Sequence, residues 1–210
     1  MKERGMIFNG EMVRAILDGR KTQTRRPVKF PILDRNLGCE LAGNELAGEL
    51  SAGNYLNSAF GKPGDRIWVR ETFCPVDDTQ YGGEKWVDYR ATPRYEASHP
   101  AGWDSAPNDA EALKWRPSIH MPRWASRILL EITGVRVERL NSISQEDAQA
   151  EGLELTGWRP TYSDPDSGGE VMTPYDNFAQ LWESIYGEES WKANGWVWVI
   201  SFERIEGGAA

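Results

Sequence analysis

The chain has 210 residues, ten of them tryptophan, and a formal net charge of −8. This length suits one decorated domain or two small ones with a hydrophobic core. No stretch approaches the roughly 18 apolar residues of a membrane helix, and the first residues lack the apolar segment of a signal peptide. The two cysteines, Cys39 and Cys74, show no metal or disulfide spacing and favour a reduced, cytoplasmic protein.

The positive charge is concentrated at the start of the chain. Residues 1–30 contain eight Lys or Arg and three Asp or Glu, so the rest of the chain carries a net charge of −13. A local cluster on an acidic chain favours a confined anion site over general polyelectrolyte binding, and the alternative is a solvated basic face. The cluster lies in and beside the segment GRKTQTRRP and consists of Arg20, Lys21, Arg25, Arg26 and Lys29.

A short helix is predicted just before this cluster. Asn9 suits the N-cap position, and Gly19 suits a left-handed C-cap. Residues 36–60, which include the Gly/Ala-rich segment ELAGNELAGELSAGN, are predicted to be an insertion. A strand through Ile67 and Val69 follows, and the segment KWVDYRA is expected to pair with it. Residues 75–118 are a second predicted insertion, because prolines crowd its last part.

The segment SRILLEITGVRVERL predicts a strand that bends at Gly134, where the apolar positions change parity. A short helix follows, with Ser144 as its cap and Gly152 as its stop. Residues 157–172 are a third predicted insertion. The segment after it predicts a longer helix that starts at Thr173 and Pro174. It buries one face: Phe178, Leu181, Trp182 and Ile185.

The last segment, GWVWVISFERI, predicts a strand with neighbours on both sides, because it is apolar almost throughout. The order of helix, strands, two helices and a strand favours a mixed α+β fold with a curled sheet over βαβ repeats. The sequence thus predicts one domain over residues 1–210, interrupted by the three insertions.

Several common kinds of site are absent from the sequence. His99 and His120 lack partners at metal-ligand spacing, and neither a phosphate-binding loop nor a nucleophile elbow occurs. We therefore predict no metal and no cofactor. The segment HMPRWASR places Arg123 and Trp124 where they suit stacking on a base and holding a phosphate. The alternative is that this segment merely leads into the next strand.

Glu151 occupies an unusual position, because it lies in the last turn of its predicted helix. A carboxylate there faces the negative end of the helix dipole, which costs a few tenths of a kcal/mol or more. One interpretation is a solvated glutamate that tolerates this cost. The other is that a cation or a proton requires a carboxylate at this position.

Five segments resemble, in this order, the landmarks of the ASCH superfamily: AILDGRKTQTRR, GKPGDRIWVRE, ISQEDAQAEGL, NFAQLWESIYG and WVWVISFERI. The resemblance implies a small β-barrel related to the PUA fold, with flanking helices and long loop insertions. It extends to the ASCH-type proteins that bacteriophages and prophages carry.

The resemblance also implies a site. Bacterial N(4)-acetylcytidine amidohydrolases of this superfamily use a Lys, a Thr and a Glu, and their motif positions fall on Lys21, Thr24 and Glu151. The implied activity is hydrolysis of an N(4)-acylated cytidine or a related amide, with a nucleoside or short RNA as ligand. The alternatives are a reader of RNA, DNA or a modified base, an ASCH-type ribonuclease, or a phage interaction protein. Arg20, Arg25, Arg26, Arg123 and Trp124 are the predicted ligand-binding residues.

This chemistry sets a geometric condition. Residues 21 and 24 of an ideal strand point to opposite faces. Lys21 and Thr24 therefore converge only if Lys21 lies in the turn after Gly19 and the strand begins later. Lys21 serves as a base only if burial and nearby arginines lower its pKa, whereas a close ionised Glu151 opposes that change.

Overall fold

The computed structural model describes residues 1–77, 79, 83–94, 114–153 and 173–205. The fold is mixed α+β, as predicted, and the chain forms two compact units. The first unit consists of Met1–Leu17, Arg66–Glu131 and Arg204–Ala210, and the second consists of Asp18–Asp65 and Ile132–Glu203. Within the described ranges, no helix is long and apolar enough to cross a membrane. The predicted insertion at 157–172 lies outside the described residues, as do residues 78, 80–82 and 95–113 of the predicted insertion at 75–118.

The first unit begins with a strand that the sequence analysis did not predict, β1 (Glu3–Ile7). The predicted helix follows as α1 (Gly10–Leu17), and the Oδ1 atom of Asn9 accepts a hydrogen bond from the Met12 backbone N–H at 2.8 Å. The next strand of the unit, β5 (Arg66–Arg70), is parallel to β1.

A separate hairpin completes the first unit. It joins β6 (Phe73–Asp77) to β7 (Lys85–Tyr89). The prediction that KWVDYRA pairs with the strand through Ile67 is therefore wrong. That strand, β5, already has β1 on one side and the long strand β8 (Leu129–Arg139) on the other, so neither of its edges is open to β7.

The second unit is built on β2 (Gln23–Pro27), which pairs antiparallel with β9 (Trp196–Ile205). A small hairpin joins β3 (Ile32–Leu33) to β4 (Glu40–Leu41), and the helix α2 (Gly43–Ser51) follows. Segment 36–60 is thus an ordered part of this unit, because Leu46 and Leu50 of α2 are buried. Three further helices are α3 (Gln145–Ala150), α4 (Pro174–Tyr186) and α5 (Glu189–Lys192).

Five strands form one sheet in the order β1-β5-β8-β9-β2, and β9 is an internal strand, as predicted. Burial along β8 changes parity at Gly134, with Leu130 and Ile132 buried before it and Val135 and Val137 buried after it, also as predicted. Over the described residues, the strands do not close into a barrel.

Helix α4 packs against β9 through two aromatic residues. Phe178 and Trp182 join a buried cluster with Val197 and Val199 of β9. The helix begins at the predicted Thr173–Pro174 start, where the Thr173 hydroxyl accepts a hydrogen bond from the Asp176 backbone N–H. The prediction that Ile185 is buried is wrong, because it lies in the last turn, past the two aromatic residues, and is 47% exposed. Leu181 is half-buried.

This difference predicts unequal effects on stability. Phe178→Ala should lower the free energy of unfolding by about 3–5 kcal/mol, because it leaves a cavity in the α4–β9 cluster. Ile185→Ala, on the same helix but exposed, should change it by at most about 0.5 kcal/mol. Urea unfolding followed by tryptophan fluorescence measures both, and equal effects would contradict the packing described for α4.

Candidate functional site

The backbone brings Lys21 and Glu151 together. Gly19 has a φ of +76°, the left-handed conformation predicted for it, and Lys21 then forms an isolated antiparallel bridge with Glu151. The neighbouring Thr22 N–H donates to the Ala150 carbonyl at 2.8 Å. Glu151 is the C-cap of α3 and is followed by Gly152, whose φ is +87°. The turn at Gly19, before Lys21, and the turn at Gly152, after Glu151, thus place the two side chains next to each other.

The side chains of Lys21 and Glu151 form a buried ion pair. The Lys21 Nζ atom lies 2.7 Å from Glu151 Oε2 and also donates to the Glu151 backbone carbonyl at 2.8 Å. Their side chains are 0% and 4% exposed. A carboxylate is unfavourable at a helix C-terminus, and here it is paired with a cation. This agrees with the interpretation in which a cation requires a carboxylate at position 151.

Arg25 connects this pair to a wider network of charges. Its Nη1 atom donates to Glu151 Oε1 at 3.1 Å and to the Gln23 side-chain oxygen at 2.6 Å. Its Nη2 atom donates to Glu138 at 2.7 Å and to Asp147 at 3.0 Å. The Arg25 side chain is fully buried, and its Nε atom has no acceptor among the described residues. Carboxylates thus determine how this guanidinium is oriented.

The outer part of the network balances its charge. Arg136 donates to Glu138 at 2.9 Å and to Asp147 at 2.6 Å, and the Gln23 amide donates to Asp147 at 3.1 Å. Three cations, Lys21, Arg25 and Arg136, therefore face three carboxylates, Glu138, Asp147 and Glu151. The balance matters most at the buried end, where Lys21, Arg25 and Glu151 lie, because an unpaired buried charge costs several kcal/mol.

Four residues of this network were not predicted as site residues from the sequence: Gln23, Arg136, Glu138 and Asp147. Their spacing was a partial signal: positions 23 and 25 share one face of a strand, and positions 136 and 138 share one face of another. Positions 147 and 151 are four apart, which places them on one face of a helix. The spacing places these side chains on polar faces of two strands and a helix, but it does not show that the three faces meet.

Burial lowers the pKa of the Lys21 ammonium below its ordinary value. The charges of Arg26 and Arg25 lower it further, whereas Glu151 raises it through its charge and its hydrogen bond. Desolvation is the largest of these effects, so the net direction is downward. A lysine with a lowered pKa is a better base near neutral pH than an ordinary lysine.

Thr24 lies apart from this pair in the described contacts. It is buried in β2, paired with Ile200 of β9, and no hydrogen bond described for the structure joins its hydroxyl to Lys21 or Glu151. Neighbouring strand residues point to opposite faces, so Thr24 points away from the side on which Gln23 and Arg25 meet Asp147. The structure therefore brings Lys21 and Glu151 together but does not bring Thr24 to them.

The cations of the N-terminal cluster do not form one surface. Lys21 and Arg25 are buried, Arg26 is half-buried, and Arg20 and Lys29 are exposed. Arg20 pairs with Asp18 at 2.9 Å and donates to the Gly152 carbonyl at 3.2 Å. The cluster thus combines buried network residues with exposed ones, and Arg20 borders the turn that follows Glu151.

The other predicted ligand-binding residues, Arg123 and Trp124, lie in the first unit. Arg123 pairs with Glu3 at 3.0 Å, and Trp124 is 69% exposed. They belong to a short 3₁₀ turn, Arg123–Ala125. No group of three or more His, Cys, Asp or Glu side chains suited to a metal occurs in the described part of the chain.

Comparison with protein-family models finds no match, and comparison with curated proteins finds none. Among solved structures, the chain is similar to the crystal structure of protein EF3133 from Enterococcus faecalis V583, of the family described as DUF984. The identity is 12% and the TM-score is 0.38, over 98% of this chain and 81% of that chain. A likeness at this level carries no argument about function.

Proposed function

We propose that the protein is an amidohydrolase that acts on an N(4)-acylated cytidine or a related amide, with Lys21 as its general base. The buried Lys21–Glu151 pair, at 2.7 Å, carries this proposal. General bases need a pKa near the working pH, and burial moves the lysine pKa in that direction. Glu151 sits close enough to Lys21 to take part in the same proton transfers.

The two acceptors at Lys21 Nζ can be served by the neutral amine as well as by the ammonium of the ion pair. A neutral amine has two N–H bonds and one lone pair. Two acceptors meet the Nζ atom, the Glu151 side-chain oxygen and the Glu151 carbonyl. When both N–H bonds point at these acceptors, the lone pair is left to accept a proton, which is what a base requires.

The reaction then follows from ordinary acyl transfer. The Lys21 lone pair takes the proton of an attacking O–H group, and the oxygen bonds to the acyl carbon to form a tetrahedral oxyanion. The bond between the acyl carbon and N4 breaks, and the Lys21 ammonium returns the proton to the departing N4. The products are cytidine and the acid, the latter released directly or after water cleaves an acyl-enzyme ester.

The attacking group is a water molecule or the Thr24 hydroxyl. Water fits the described geometry better, because no described contact joins that hydroxyl to Lys21 or Glu151, and substitutions at Thr24 distinguish the two. If Thr24 attacks, Thr24→Val should reduce kcat by about 10³-fold or more, and Thr24→Ser should keep part of the activity. If water attacks, both variants should keep kcat within about tenfold. Steady-state kinetics on one N(4)-acylcytidine measures this, with circular dichroism as the control for folding.

We further propose that the chain is an ASCH-type protein whose strands curl in the manner of that superfamily, with a nucleoside or short RNA as ligand. The five landmark segments support this, because they coincide with the region from α1 to β2 and with β5, α3, α4 and β9, in that order. The fold alone does not choose between catalysis and binding.

The test of the proposed function is product formation by the unaltered protein over a panel of N(4)-acylcytidines, both free and within a short RNA. We expect cytidine and the free acid, detected by chromatography, with Lys21→Met as the inactive control. Tight binding without any product would contradict the amidohydrolase and leave a modified-base reader. Cleavage of the RNA strand instead would indicate a ribonuclease.

A further inference from the structure

We propose that Arg25 is a positioning residue: it holds one oxygen of Glu151 so that the other faces Lys21. This inference rests on the proposed function for its effect on turnover, although the geometry that it describes does not. It assigns to Arg25 a role other than direct contact with the ligand.

The contacts of Arg25 support this role. Glu151 Oε1 accepts from Arg25 Nη1 at 3.1 Å, and Glu151 Oε2 lies 2.7 Å from Lys21 Nζ, so the two cations hold different oxygens of one carboxylate. Arg25 is itself anchored at its second nitrogen by Glu138 and Asp147. Its planar, forked guanidinium keeps these contacts in a fixed relation, which a lysine ammonium cannot do.

The charge of Arg25 has a separate effect on Lys21. The charged side chains around Lys21 come from three elements and from the turn after α3: Arg25 and Arg26 on β2, Arg136 and Glu138 on β8, Asp147 on α3, and Glu151. Removing the Arg25 charge takes away one cation and, among the described residues, leaves Lys21 as the ion-pair partner of Glu151. Both changes favour the protonated form of Lys21.

Arg136 provides a matched control. It bonds to the same Glu138 and Asp147, at 2.9 and 2.6 Å, but its described contacts do not include Lys21 or Glu151. A substitution there disturbs the network and removes one cation, as a substitution of Arg25 does. It should not alter the orientation of the Glu151 carboxylate.

The experiment compares Arg25→Lys, Arg25→Gln and Arg136→Gln. Arg25→Lys should reduce kcat about 10²-fold with little change in KM, because the charge remains but the fixed contacts are lost. In Arg25→Gln, the limb of the pH–rate profile that rises with pH should move to higher pH by about one unit. Arg136→Gln should leave that limb unmoved. Equal effects of the Arg25 and Arg136 substitutions would overturn the proposal.

Two further measurements do not depend on turnover. The titration of Lys21, followed by its side-chain NMR signals, should move to higher pH in Arg25→Gln and stay in place in Arg136→Gln. A crystal structure of Arg25→Lys should show Glu151 turned away from Lys21. If the 2.7 Å contact persists in that structure, Arg25 does not position Glu151, whether or not Arg25→Gln folds. If the unaltered protein has no activity but these two results hold, the proposed function fails and the positioning role stands.

Discussion

Lys21→Met should lower kcat/KM for an N(4)-acylcytidine by about 10³-fold or more, because it removes the proposed general base. Glu151→Gln should cause a similar loss. The double variant should be little worse than either single one, since members of one catalytic unit fail together. If the two losses multiply in the double variant, Lys21 and Glu151 do not act as one catalytic unit.

Folding must be separated from catalysis in these variants. Lys21→Met leaves Glu151 buried with Arg25 as its remaining partner, and the loss of one member of a buried pair costs about 3–5 kcal/mol at most. Replacing both members with neutral side chains of similar size removes the unpaired charge, so Lys21→Met/Glu151→Gln should be more stable than Lys21→Met. Urea unfolding measures this difference. A double variant that is folded but inactive assigns the loss of activity to chemistry.

The pH dependence follows from the lowered pKa of Lys21. Only the neutral amine accepts a proton, so the rate should rise with pH through that pKa and then level off. The free energy of unfolding should also rise with pH. The unfolded chain binds the Lys21 proton more tightly than the folded one does, so stability should rise between the folded pKa and the ordinary value of 10.5. Lys21→Met should remove this rise.

Arg127→Met should lower the free energy of unfolding by about 3–5 kcal/mol. Arg127 holds both oxygens of Glu71, at 2.9 and 3.0 Å, and the Glu71 side chain is only 2% exposed. Its guanidinium also stacks 4.0 Å from the Tyr89 ring centre and donates to the Thr92 hydroxyl. Without Arg127, the buried Glu71 carboxylate has no ion-pair partner in the part of the chain that the structure describes.

The cost of Arg127→Met should shrink at acid pH. Burial raises the pKa of Glu71 above 4.5, and the Arg127 ion pair opposes that rise. A group whose pKa is higher in the folded chain than in the unfolded chain stabilises the folded protein at pH values below its unfolded pKa. This stabilisation is lost as the pH rises through its folded pKa. Removing Arg127 raises the pKa of Glu71 further, so the variant should lose less stability near pH 4.5 than near pH 8.

The control for this prediction is Arg123→Met in the same unit. Its partner Glu3 lies at a similar distance, 3.0 Å, but both side chains are more than a third exposed. Solvent screens such pairs, so the loss should be at most about 1 kcal/mol. Equal losses from the two arginine substitutions would show that burial of Glu71 does not determine the cost.

Local features of the fold could be predicted from the sequence because each depends on neighbours along the chain. Asn9, Ser144 and Thr173 cap their helices as expected, and Gly19 and Gly152 end their segments with positive φ. The unusual position of Glu151 was also visible, since a helix dipole acts within one turn of its residue.

Pairing between distant segments was decided only by the tertiary structure. Strand β7 pairs with β6 and not with β5, because β5 already lies between β1 and β8 in the sheet. The sequence pattern of β1 did not predict a strand. Ile185 fits the apolar spacing of its helix but extends past the α4–β9 cluster. The spacing of apolar residues determines which face of a helix is buried, not where along its length the neighbouring sheet ends.

The candidate site, too, could be predicted from the sequence only in part. The sequence singled out Lys21, Thr24 and Glu151, and the turn after Gly19 brings the first and last of them together. Whether Arg25 is a surface cation or the centre of a buried network depends on Glu138 and Asp147, which lie 113 and 122 residues further along the chain. A charge pattern does not reveal such partners, because it records sign and spacing but not which strands and helices become neighbours.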